Sequence, residues 1–354
     1  MNLIEHLYRN IAKPIFFRFD PEDVHDTVSR LGRALGVVPP LRALTRAVLA
    51  FEDTILNTTV AGIRFPNPVG LAAGFDKNAR LHKILPDVGF GFAELGSITG
   101  KPCAGNPRPR LWRLKQSESL IVYYGLMNDG ADAIASRLRG ARFRIPIGIS
   151  AAKTNDSSTV EPTAAIRDYV HVVDEFRGIG DYFTINISCP NAFGGEPFTD
   201  PALLEQLMTV VDTQADKPVF LKLASDLSHA QLDAILDISV RHRVSGFVCC
   251  NLGKKLDPRG GVGGKLVRQL SDDQIQYVYA RTHGKYPIIG VGGIFSAEDA
   301  YRKIRLGASL VQLITGMIFQ GPQVVGQINR GLAALLRRDG FSSVADAVGV
   351  DNRG

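Results

Sequence analysis

Residues able to do chemistry fall at the ends of apolar runs. The stretch INISCPN carries Cys189, a thiol set between a serine and a proline, with Asn186 and Asn191 on either side. Other runs end on Ala73 with Lys77 just beyond, on Ser97, on Ser150, on Lys222, on Asn251, on Gly292 and Gly293, and on Thr315 with Gly316. The set is polar, small and poor in carboxylates. A glycosidase needs two acidic groups flanking the scissile bond, and a metal hydrolase needs a cluster of histidines and carboxylates. Neither constellation occurs at these positions.

The last two runs continue as GVGGIFSAEDA and ITGMIFQGP. Their glycines could be tight turns and nothing more. On two consecutive strands they suit a phosphate, because backbone N–H groups and a helix N-terminus would face the anion. Lys222 lies inside an apolar run, and a buried lysine needs an electron-rich partner. A reduced isoalloxazine ring supplies one. The combination points to a phosphorylated cofactor rather than a small anion.

The elements that must position these residues are eight short runs: PVGLAAG (68–74), FAELGSIT (92–99), IPIGISA (145–151), YFTINIS (182–188), PVFLKLA (218–224), GFVCCN (246–251), PIIGVGG (287–293) and SLVQLITG (309–316). Near-continuous apolar strands, each followed by a helix or long loop, predict a parallel sheet buried on both faces. Eight of them predict an α/β chain folded as a (β/α)8 TIM barrel rather than a doubly wound sheet, with its chemistry at the C-terminal strand ends. The barrel is expected over 51–336, followed by a frayed polar tail over 337–354.

Residues 1–50 read as a two-helix extension. Leu3, Leu7 and Ile11 recur at helical spacing among Arg9, Lys13 and Arg18, and Pro14 should end or kink that helix. The second helix has Asp20 as N-cap, Pro21 at its first position, Glu22 and Asp23 in the first turn, a stripe of Val24, Val28, Leu31 and Leu35, and Gly36 as its stop. The pair Pro39-Pro40 follows. Both faces can pack on the barrel; with Phe16, Phe17 and the flanking basic residues they also suit an anionic headgroup layer.

Composition sets the outer bounds. At 354 residues and 45% hydrophobic content there is ample core for one barrel. The four cysteines, Cys103, Cys189, Cys249 and Cys250, have no CxxC spacing, and no secretory signal is read at the start, so a reduced, cytoplasmic chain is expected. No apolar run nears the ~18 residues a membrane span needs. The net charge of +6 comes from scattered Lys and Arg, without a nucleic-acid-binding pattern, so nucleic acid is not expected as a partner.

The segments NPVGLAAGFDKNA, FAELGSIT, NPRPRLWRL, INISCPN, FLKLASDLS, GFVCCN and PIIGVGGIFSAEDAYRKIRLGASLVQLITGMIFQGP resemble the dihydroorotate dehydrogenase family, from about residue 14 to 335. Because helices precede the barrel, the chain is similar to the membrane-associated, quinone-using class 2 branch. The resemblance implies an FMN-binding barrel that takes two hydrogens from dihydroorotate to give orotate, a step of pyrimidine biosynthesis. It also implies a greasy passage for quinone through the helical extension, and a peripheral location on the cytoplasmic side of a membrane.

By the same resemblance, Cys189 is the base that removes the acidic proton beside the substrate carbonyl while a hydride leaves the adjacent carbon for flavin N5. Class 2 members place serine there and class 1 members cysteine, so the chain is a hybrid; an inert buried thiol is the ordinary alternative. Lys77, Asn186, Asn191 and Asn251 are implied at the substrate. Ala73, Ser97, Ser150, Asn186, Lys222, Gly264, Gly293 and Thr315 are implied at FMN.

Departures from the family pattern cluster in the substrate pocket. Where class 2 members read NRMGFNN this chain reads VYYGLMN, so that an orotate-holding asparagine is Val122. Leu252 stands for a threonine, Ser150 for a flavin-contacting asparagine, Ile314 for a tyrosine near the phosphate, and AFGGEPF for the loop TPGLR. They leave two alternatives open: an FMN enzyme working on a C–C bond beside a carbonyl in a less polar substrate, or a non-catalytic flavin-binding, membrane-associated protein.

Overall fold

Eight strands close a parallel barrel in chain order: Val69–Leu71, Phe92–Ile98, Ile147–Ala151, Tyr182–Asn186, Val219–Lys222, Val244–Cys249, Ile288–Val291 and Ala308–Leu313, the last pairing back onto the first. This is a computed structural model, and it describes residues 3–188 and 193–352. The eight apolar runs are the eight barrel strands. Their residues are nearly all buried because helices cover the outside and side chains fill the inside.

One end of the barrel is sealed. The hairpin Thr58–Val60 and Ile63–Phe65 packs Val60 and Phe65 against Phe92, Tyr182 and Phe220 of the barrel interior. Gly70 and Gly148 make room for two of those rings: a Cβ there would lie 2.4 Å from Phe92 and 2.3 Å from Tyr182. The open end is therefore the C-terminal one, as the fold requires. Beside it stands an antiparallel sheet of Leu111–Leu114, Ser119–Val122 and Gly261–Gly264, which the sequence pattern did not reveal.

The N-terminal extension covers the same end with three helical segments rather than two. In the first, Leu3–Leu7 passes through a wide turn at Tyr8–Ala12 into Lys13–Phe16, so Pro14 loosens the ladder without ending it. Proline has no N–H to return to the preceding turn, and a widened turn absorbs the defect. The second helix, Pro21–Val37, is capped as expected, with Asp20 accepting from the backbone N–H of Glu22 at 2.8 Å and of Asp23 at 3.3 Å. The Pro39-Pro40 pair opens a third helix, Pro39–Leu49, instead of breaking the chain; at the first two positions a missing N–H costs nothing.

The C-terminal residues are packed, not frayed. Val344 and Ala347 are fully buried, Gly349 N–H donates to the Ile304 carbonyl at 3.0 Å, and Arg305 pairs with Asp351.

Candidate active site

A cavity of about 470 Å³ opens at the C-terminal strand ends, within the ~300–1,000 Å³ range of cofactor and substrate sites. Ala73, Lys77, Ser97, Asn186, Lys222, Asn251, Gly264, Gly293 and Thr315 all line it. Ser150 stands behind the wall: fully buried, it reaches Ser97 with 2.8 Å between hydroxyl oxygens. Cys189 and Asn191 lie outside the described residues.

The polar residues form one chain of hydrogen bonds. Asn186, at the end of the fourth strand, donates from Nδ2 to Ser97 Oγ at 2.9 Å and accepts at Oδ1 from Ser188 Oγ at 3.1 Å. Asn251 Nδ2 lies 3.1 Å from Ser188 Oγ and 3.4 Å from Asn186 Oδ1. The carbonyl of Asn186 accepts from the buried Tyr169 hydroxyl at 2.7 Å, which fixes the strand end. Two neutral amides, Asn186 and Asn251, are thereby held side by side at Ser188, each with donor and acceptor character.

Beneath them the barrel interior carries charge. Glu94, wholly buried, accepts from Thr184 Oγ1 at 2.7 Å and from Tyr182 Oη at 3.4 Å. Burial pushes its carboxyl above the usual range, against the pull of Lys222 and its hydrogen bonds. Gln312 lies beside Glu94, yet its amide makes no well-aligned hydrogen bond among the described residues and lines the cavity. A buried amide without a well-aligned partner, lining the same cavity as the buried Lys222, fits the polar edge of a flavin ring, since such a group otherwise forfeits about 1–3 kcal/mol. Left-handed backbone at Gly264, Gly292 and Gly293, with φ of 105°, 120° and 72°, borders the helix Thr315–Gln320 and leaves main chain exposed to the cavity, which suits a phosphate.

Lys77 is 9% exposed, its Nζ 3.4 Å from the Gly74 carbonyl and 4.1 Å from the centroid of the Tyr124 ring. Burial lowers its pKa to about 8 against the pull of Asp26, Glu22 and Asp76. His25, on the helix Pro21–Val37, reaches the Phe75 carbonyl from Nε2 at 2.9 Å. Burial, and then the Lys77 charge, pushes its pKa down to about 4, so the ring is neutral and Nε2–H is the donor.

The N-terminal helices complete the cavity. Tyr8, Phe16, Phe17, Val24, Val28 and Leu31 line it together with Leu111, Arg113 and Leu120. Arg113 donates to the Phe19 carbonyl at 2.9 Å and lies over the Phe17 ring at 4.7 Å. The helical stripe Val24, Val28 and Leu31 thus faces an apolar passage leading to the polar strand ends. Val122, Leu252 and Ile314, where the family pattern has polar side chains, line the cavity too.

His25, Arg113, Tyr124 and Gln312 were not singled out from the sequence. They come from a helix, a cover strand, a loop and a barrel strand, and no spacing links them.

A family model described as Dihydroorotate dehydrogenase matches residues 55–336. A protein of Gloeobacter violaceus named dihydroorotate dehydrogenase (quinone) is 40% identical, covering 97% of this chain and 98% of its own. One of the same name from Haloarcula marismortui is 39% identical, covering 97% and 99%. The crystal structure of DHODH in complex with ferulenol from Eimeria tenella superposes with a TM-score of 0.86 at 29% identity, covering 95% of this chain and 96% of that one.

Proposed function

We propose, from the premise that this chain belongs to the dihydroorotate dehydrogenase family, that dihydroorotate is oxidised to orotate at the strand ends, with quinone reaching the same cavity beneath the N-terminal helices. The chain is an oxidoreductase acting on a CH–CH bond with quinone as acceptor. One observation supports the division of labour: Asn186 and Lys222 share a single cavity with Phe17, Val24 and Val28.

FMN, when bound, supplies a hydride acceptor for the substrate and an electron donor for quinone. Lys222, Gln312, Ser97 and Asn186 are the residues suited to its ring, with Ser150 bracing Ser97, and Ala73, Gly264, Gly293 and Thr315 suited to the rest of the molecule. The amides of Asn186, Asn251 and Asn191 orient the substrate edge, and the Lys77 cation meets its carboxylate. Cys189 takes the proton, which requires its thiolate within about 3 Å of that proton. The dry wall of the passage excludes water from that exchange.

Quinones partition into lipid, which gives the exposed face of the extension a purpose. Leu3, Leu7, Ile11 and Ile15 are exposed on the first segment, Phe19 in the turn after it, and Leu41, Leu44 and Val48 on the third. Among the described residues no helix is long and apolar enough to cross a membrane. Peripheral docking on an anionic bilayer, on its cytoplasmic side, suits this apolar face and its basic neighbours Lys13 and Arg18.

Val122 and Leu252 favour a second reading, in which the same scaffold acts on a less polar substrate. Anaerobic addition of dihydroorotate to the flavin-loaded protein separates the two. Bleaching of the flavin colour supports dihydroorotate; an unchanged spectrum at high substrate supports the alternative.

A further inference from the structure

Lys77 is buried without an ion pair among the described residues, an unusual state for a lysine. Apart from the Gly74 carbonyl at 3.4 Å, its ammonium meets the face of Tyr124, 4.1 Å from the ring centroid. The Tyr124 hydroxyl is buried without a partner among the described residues, so the ring rather than the hydroxyl makes the engagement. Arg110 lies 5.2 Å from the same centroid, but its demands are met elsewhere. Glu22 takes Nε and Nη2, and the carbonyls of Ala104 and Asn106 take Nη1 at 2.9 and 2.8 Å.

We propose that Tyr124 is a positioning residue whose ring face keeps the Lys77 ammonium charged and aimed into the cavity, with Arg110, tied to Glu22 of the N-terminal helix, holding the ring in place. This rests on the reading that Lys77 meets the substrate carboxylate. An aromatic face attracts a desolvated cation through its quadrupole, and no carboxylate in contact offers the same service. The charged groups around Lys77 are Glu22 and Asp26 of the helix Pro21–Val37, Asp76 of its own loop and Arg110 of the loop before the cover sheet; His25 of that helix is neutral. The charged lysine binds the anion, so affinity falls as pH rises past the lysine's own titration, which lies at about 8. Removing the ring moves that fall to lower pH.

The test is the affinity of the flavin-loaded protein for orotate, followed by flavin absorbance from about pH 6 to 10 in wild type, Tyr124→Phe, Tyr124→Leu and Lys77→Met. Any titration of orotate itself cancels between variants. In Tyr124→Leu the weakening is expected to begin about 0.5–1 pH unit lower, while Tyr124→Phe tracks wild type. An unmoved profile in Tyr124→Leu, or a shift in Tyr124→Phe as large as in Tyr124→Leu, overturns the proposal. If Tyr124→Leu fails to keep flavin, Tyr124→Met takes its place. Lys77→Met is expected to erase the pH dependence; its persistence there removes the premise that Lys77 meets the substrate, and the proposal with it.

Discussion

The Glu22 carboxylate, on the helix Pro21–Val37, is gripped by Nε and Nη2 of Arg110 at 2.8–3.2 Å. Glu22 is 2% exposed and Arg110 7%. Burial pushes the carboxyl up, but Arg110 and Arg108 outweigh it and hold Glu22 below its ordinary value. The pair fastens the N-terminal helix to the loop that leads into the cover sheet.

Breaking that pair from one side should be costly. Arg110→Met leaves a buried carboxylate with only Arg108, at 3.0 Å, to neutralise it. A loss of about 2 kcal/mol is expected in urea unfolding, because the buried carboxylate loses its charged hydrogen bonds and keeps only one partner, itself half exposed. The double variant Glu22→Leu with Arg110→Met should regain most of it. Equal losses in the single and double variants would show that the ion pair is not what the stability reads.

His25 makes the same junction sensitive to acid. It titrates at about 4 in the folded protein and near 6.5 when unfolded. Between those values the unfolded chain binds a proton that the folded one refuses, so stability falls as pH drops from about 6.5 to 4, by up to about 3 kcal/mol. Below that range no more is lost from this group. Thermal midpoints taken across it should slope steeply in wild type and less so in His25→Gln.

Cys189 should govern turnover without governing the fold. As the base it must be ionised, so the rate should fall on the acid side of its thiol titration. Cys189→Ala is expected to lose about 10²–10⁴ in kcat while keeping flavin, and Cys189→Ser to keep part of the rate. Full activity in Cys189→Ala would return the thiol to the inert class.

The barrel was legible because its strands are buried on both faces and so read as uninterrupted apolar runs. The Asp20 cap of the second helix was legible too, since one residue's chemistry decides it. The third helix was hidden by Pro39-Pro40, which reads as a break but also serves as a helix start. The cover sheet was hidden because Gly261–Gly264 looks like loop. Within the cavity, the predicted residues that lie among the described ones came together, except that Ser150 braces Ser97 from behind. Tyr124, Gln312 and Arg113 escaped notice because their roles depend on burial and on neighbours distant in sequence. Tyr124 is set by Lys77 and Arg110, Gln312 by Glu94, and Arg113 by Phe17.

The passage shared by quinone and substrate is tested most directly by filling its outer half and timing the two half-reactions separately. Val28 lines the cavity on the N-terminal helix, far along the chain from the strand ends. In Val28→Trp, anaerobic reduction of the flavin by dihydroorotate should stay within about twofold of wild type, while reoxidation by a quinone slows about tenfold or more. Unchanged reoxidation, or equal slowing of both steps, would contradict an entry route beneath the helices.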